Sequence, residues 1–103
     1  MSSAAASVVT YTVDPESSDE LRDRVQNYLV PAARDIAGYR GFLLLDQGEN
    51  RRMALLLFDS VVGVQTAQRV LSPVGEQYTY ALMTSPAIGS LGRVVVSDGV
   101  FGV

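Results

Sequence analysis

Four short stretches of this sequence are apolar at consecutive positions, and a strand built that way has no polar side. Val8 and Val9, Leu43 and Leu44, Leu55 and Leu56, and Val94 and Val95 are the neighbouring pairs. Successive strand residues point to opposite faces of a sheet, so both faces must carry apolar groups. The surrounding segments read as strands. Val8 to Val13 is β-branched or aromatic up to the break at Asp14-Pro15, and Phe42 to Asp46, Met53 to Phe58 and Arg93 to Ser97 follow the same chemistry. Gly48-Glu49-Asn50 turns the second strand into the third as a hairpin, with Arg51 and Arg52 read as part of a solvated loop tip. The third strand is apolar on both sides, which places it in the centre of a sheet rather than at an edge.

Two helical segments separate these strands. Ser17 with Glu20 three positions later has the spacing of a capping box. Leu21, Val25, Tyr28, Leu29, Ala32 and Ile36 then recur at three- and four-residue steps, lining one face for burial. Pro31 removes a backbone donor inside that helix and predicts a kink between Asn27 and Pro31, with Gly38 ending the segment. A second helix opens at Asp59 or Ser60 and sets Val61, Val64, Ala67 and Leu71 on one side. Ser72-Pro73 predicts a break and a fresh start, after which Tyr78, Ala81 and Leu82 share a face until Ser85-Pro86.

The order strand, helix, strand, strand, helix, strand is the ferredoxin-like βαββαβ arrangement of the α+β class, an antiparallel sheet with both helices on one face. Residues 1–7 are expected to form a disordered N-terminal tail and residues 8–103 the single domain. The second sheet face is left bare. About eight apolar side chains in water, at about 1.5–3 kcal/mol each, would forfeit on the order of 12–24 kcal/mol as an upper bound. That rivals the net stability of a whole domain, about 5–15 kcal/mol. The simplest cover is a second copy related by two-fold symmetry, so the sequence predicts a homodimer through the sheet face.

Composition narrows the chemistry. The net charge is −3, and the eight basic residues are all arginine, scattered from Arg22 to Arg93 without the dense patch that phosphate backbones require. The chain has no cysteine, histidine or lysine, which removes disulfides, thiolate metal sites, histidine-based triads and Schiff-base catalysis. No apolar run reaches the roughly 18–20 residues of a membrane span, and the start Met1 to Ser7 lacks the pattern of a secretion signal. A cytoplasmic protein with no nucleic-acid or membrane partner, no metal and no cofactor is the expectation.

Three segments carry a resemblance: Val8 to Pro15, Ala37-Gly38-Tyr39-Arg40-Gly41-Phe42 entering the second strand, and Leu56-Leu57-Phe58-Asp59-Ser60. Together they resemble the dimeric α/β-barrel superfamily, in particular its antibiotic-biosynthesis-monooxygenase-like branch. The resemblance implies either cofactor-free oxidation of polyphenolic substrates or haem degradation. Haem degraders of that branch use a histidine, an asparagine and a tryptophan, and only Asn27 has a counterpart in this chain. For cofactor-free oxidation the resemblance points to the hollow between sheet and helices, where an amide or phenol polarises a phenolic substrate and an arginine stabilises its anion. Asn27, Tyr28, Arg40, Arg69 and Tyr78 are the ligand-binding candidates on that basis; no catalytic residue is assigned. The bland alternative gives Tyr28 and Tyr78 core-facing positions, Asn27 a supporting role beside the proline, and the arginines a solvated life. Two functions follow from the sequence: a cofactor-independent monooxygenase-like protein acting on a small aromatic or polyketide-type substrate, or a non-catalytic small-ligand binding or assembly module.

Overall fold

The computed structural model describes residues 4–99. Strand β1 (Ala5–Thr12) leads through a short 3₁₀ turn into α1 (Ser18–Arg24), a π-helical turn at Val25–Leu29, and α2 (Val30–Arg34). Strands β2 (Tyr39–Asp46) and β3 (Arg51–Phe58) form the hairpin, α3 (Val61–Tyr78) crosses the sheet, and β4 (Ile88–Arg93) completes it. All pairings are antiparallel and the strand order is β2-β3-β1-β4. This is the ferredoxin-like α+β fold, with β3 inside the sheet as its two apolar sides demand.

Strand β1 begins earlier than the sequence pattern suggests. Ala5, Ala6 and Ser7 pair with Phe58, Leu57 and Leu56 on one side and with Arg93, Gly92 and Leu91 on the other. The tail expected over residues 1–7 is thereby shortened: small residues suffice for a strand flanked on both sides, because the ladder supplies what propensity does not. Residues 1–3 and 100–103 lie outside the described residues. Strand β4 is likewise displaced, covering Ile88–Arg93 instead of residues 93–97. Ala5, at the end of β1, is the partner of Arg93. Past it, among the described residues, the Val94 N–H donates to the Ala4 carbonyl at 2.8 Å. Val95 and Val96 stand 91 % and 86 % exposed.

The first helical arm bends where Pro31 requires it. The Val30 N–H donates to the Val25 carbonyl, a five-residue reach that defines the π turn just before the proline. Asp14, not a Ser17–Glu20 box, caps the entry, its Oδ1 accepting from the Glu16 N–H at 3.0 Å. Ser17 makes no capping bond and Glu20 pairs with Arg24 one turn on. Gly38 takes φ +86° and turns the chain into β2; a Cβ there would collide with Asp59 Oδ1. The hairpin turn places Glu49 and Asn50 at φ 54° and 61°. Arg52 is drawn inward rather than solvated, with Nη1 2.9 Å from Asp46 Oδ1 and Nη2 donating to Ser18 Oγ at 2.8 Å.

Helix α3 runs unbroken through Pro73, so the expected restart at Ser72-Pro73 does not occur. The Ser72 hydroxyl donates to the Gln68 carbonyl at 2.7 Å beside the proline, and burial of Val64 and Ala67 before the proline and of Gly75 after it holds the helix in one piece. Ser60 caps its start, accepting from the Gly63 N–H at 3.3 Å. The main core joins Phe58, Leu56, Val64, Ala67, Ala33, Ile36 and Ala5, while Tyr11, Val13, Leu21 and Val25 form a second cluster under α1.

Candidate functional site

Alternate residues of β1 point toward the helices: Ala5, Ser7, and Tyr11 are all buried, and Val9 lies between them. Opposite them stands α3, and the two layers do not close completely. A cavity of about 210 Å³ remains, with Val9, Leu29, Phe42, Leu56, Leu71 and Met83 supplying apolar walls. Its polar contributions come from Ser7, Tyr11, Gln68, Ser72, Thr79 and Tyr80. None of the described lining residues is charged.

Ser7 and Thr79 are the buried polar side chains of the described chain. The Thr79 hydroxyl is committed to the Gly75 carbonyl at 3.0 Å. Ser7, in the middle of the sheet between Leu56 and Leu91, turns its side chain to the cavity. Four residues along the same face, about 13 Å away at strand rise, Tyr11 borders the cavity at its other end. Burial pushes the Tyr11 phenol above its ordinary value near 10, and the Arg52 guanidinium only partly offsets this. At neutral pH Tyr11 is therefore a hydrogen-bond donor and not a base. The walls offer hydroxyls and an amide to a neutral polar group, and no carboxylate to take a proton.

The five residues singled out from sequence lie elsewhere. Tyr28 and Tyr78 meet in a parallel stack, centroids 3.9 Å apart and planes 2° off. Tyr28 is 46 % exposed rather than core-facing, because it falls in the π turn, which shifts the helical phase. Asn27 sits exposed in the same turn, Arg40 is exposed in edge strand β2 where the register slips between Tyr39 and Gly41, and Arg69 is exposed on α3. None of the five lines the cavity. Sequence reasoning missed Ser7, Tyr11, Gln68 and Tyr80. The signal was present on α3, where Gln68, Leu71, Ser72 and Gly75 recur at steps of three, one and three and so share a stripe. Ser7 was hidden by its assignment to the tail.

No described helix is long and apolar enough to cross a membrane, and among the described residues no group of three or more acidic side chains could hold a metal ion.

No family model and no curated protein matches the sequence. Solved structures do match the fold. A protein of unknown function from Nitrosomonas europaea superposes with a TM-score of 0.78 at 18 % identity, covering 93 % of each chain. A second protein of that organism, described as "putative antibiotic biosynthesis monooxygenase", gives 0.78 at 11 % identity over 96 % of this chain and 97 % of its own. A mutant of SnoaB, a cofactor-independent oxygenase from Streptomyces nogalater, gives 0.74 at 14 % identity over 93 % and 97 %. The chain thus has the fold of these solved structures, antibiotic-biosynthesis-monooxygenase-like proteins among them. At these identities the likeness is one of fold.

Proposed function

We propose that this chain binds a small, uncharged and largely apolar molecule of aromatic or polyketide type in the cavity between α3 and the sheet. The observation that carries the reading is the lining: an apolar hollow with no charge, into which the buried Ser7 side chain points. Such a site favours a flat apolar body carrying one or two neutral oxygens, since a buried charge without a partner would go uncompensated. Titration calorimetry with 2-naphthol tests it. Binding is expected for the unaltered protein and should vanish in Ser7→Leu, whose side chain enters the hollow; equal binding by both proteins would refute the site.

The protein acts, in this reading, as a cytoplasmic homodimer. Both helical arms cover one sheet face, and Val8, Leu43, Leu45, Met53, Leu55 and Ile88 lie on the other by strand alternation and register. Leu43, Leu45 and Ile88 remain exposed in the single chain.

The fold shared with SnoaB favours a second reading, cofactor-independent oxygenation of the bound compound. Because Tyr11 stays protonated and the lining has no carboxylate, the substrate would have to ionise readily by itself, with the hydroxyls stabilising its oxyanion. Oxygen-uptake measurements with hydroquinone-type and polyketide-type compounds decide between the readings: uptake above buffer supports oxygenation, and binding without uptake leaves a binding protein.

A further inference from the structure

The cavity has a neighbour. On the far side of Tyr80 lies an open hollow of about 510 Å³ formed by the chain from Met83 to Ala87, and the two spaces share Tyr80, Met83 and Ala87 as their common wall. Of these three, Met83 is held in place. It bridges Val13, and its successors are tied to the end of β1: the Thr84 N–H donates to the Thr12 carbonyl at 3.0 Å, and the Thr12 N–H donates to Ser85 Oγ at 2.9 Å. Ala87 is too small to be a barrier. The bulkiest group of the partition is therefore the Tyr80 ring.

That ring lies down on Gly75. A Cβ at Gly75 would come within 2.6 Å of Tyr80 Cε1 and 2.8 Å of Cζ, so no other residue permits the position. The backbone under it is anchored, since the Thr79 N–H and hydroxyl both donate to the Gly75 carbonyl, at 2.9 and 3.0 Å. The ring itself is not: Tyr80 is 43 % exposed. A partly exposed side chain changes rotamer quickly. Glycine within a helix is otherwise unfavourable, and its presence under an aromatic ring is explained if the ring must lie flat there.

Resting on the cavity reading above, we propose that Tyr80 is the size-selecting gate of the ligand site. With the ring down on Gly75, the cavity of about 210 Å³ suits one or two fused rings; an apolar cavity of about 150 Å³ already holds a benzene. With the ring lifted, the cavity opens into the adjoining hollow and reaches the size of sites for larger ligands, about 300–1,000 Å³. The geometry assigns specificity to one side chain and to the glycine that lets it close.

Two uncharged fluorescent probes test this on the full chain: 2-naphthol, with two rings, and N-phenyl-1-naphthylamine, with three. Tyr80→Ala removes the ring and Gly75→Ala lifts it, so each is expected to shift the affinity ratio of the two probes about tenfold toward the three-ring probe. Tyr80→Phe keeps the ring and should keep the parental affinity ratio of the two probes. In the Gly75→Ala/Tyr80→Ala double variant the glycine change should add nothing, because the group it displaces is gone. Far-ultraviolet circular dichroism establishes that each variant is folded. If 2-naphthol binds but the two probes keep their affinity ratio in both folded single variants, the gate is refuted and the cavity stands. If additive effects appear in the double variant, Gly75 acts other than through Tyr80 and the gate is refuted in that form. If 2-naphthol binds no form, the cavity reading falls and the gate with it.

Discussion

Replacing Leu43 by lysine separates assembly from folding. Leu43 lies on the edge strand β2, on the sheet face away from the helices, in register with Leu55 and through it with Val8. It keeps 42 % of its surface exposed in the single chain. Full burial of a leucine is worth about 1.5–3 kcal/mol, so covering the remaining two-fifths recovers about 0.6–1.3 kcal/mol. A two-fold interface counts the change twice, about 1.2–2.5 kcal/mol, or roughly ten- to sixty-fold in dimerisation. Two lysines must then also be desolvated, which costs several kcal/mol per ion without a partner, so the combined loss exceeds roughly a thousandfold. The single chain should hardly notice, because lysine is at home on an edge strand and surface changes are usually within about 0.5 kcal/mol. Sedimentation equilibrium at micromolar concentration is expected to show dimers for the unaltered chain and monomers for Leu43→Lys, with unchanged circular dichroism. A monomeric parent protein, or a Leu43→Lys variant that still dimerises with parental affinity, would refute face-to-face pairing.

Phe58→Ala should destabilise by about 3–5 kcal/mol, because the ring is fully buried, packs edge-on to Tyr39 at a centroid distance of 6.0 Å and lies against Gly63; urea unfolding at fixed protein concentration measures it. Tyr11 gives a pH signature. Its phenol titrates higher in the folded state than in the unfolded chain, chiefly through burial, so its contribution to stability is complete below about pH 10 and declines as pH rises through the folded value. Thermal melts from pH 8 to 11 should therefore fall less steeply for Tyr11→Phe than for the parent, and parallel curves would contradict the burial argument.

The order of elements was legible because each rests on a local pattern: β-branched runs ended by Asp14-Pro15, a hairpin whose left-handed residues Glu49 and Asn50 follow a glycine, and a helical stripe on α3. The errors fall where tertiary contact outweighs local preference. Ser72-Pro73 has the composition of a helix start, yet α3 continues because it is buried both before and after the proline, Ala67 in the main core and Gly75 under Tyr80. Arg93 to Ser97 has the composition of a strand, yet the ladder uses Ile88-Gly89-Ser90-Leu91-Gly92-Arg93, because β1 offers Thr10 back to Ala5 as partners. Strand propensity describes what fits a sheet, and the partner decides which residues are in one.

The site was less legible for a different reason. Reactive residues were sought by what their side chains can do, and that search favoured amides, phenols and guanidinium groups. A cavity between packed layers is made instead by side chains that are too short to fill the space. Val9 on β1 is flanked in register by Ala54 on one side and Gly89 on the other, and across the gap α3 presents Ala67 and Gly75. Protein interiors pack at crystal-like density, so small residues facing one another from two layers leave a hollow unless a large neighbour reaches in. Phe42 and Tyr80 are the large neighbours in its wall, and they do not fill it. Each of these small residues taken alone has an ordinary meaning in a sequence; only the register that puts Gly89 and Ala54 beside Val9, and the crossing of α3 above them, gives them a common one. Register depends on which strands pair and where, and β4 is the strand whose position local pattern misplaces, so the hollow could not be read before the ladder was known.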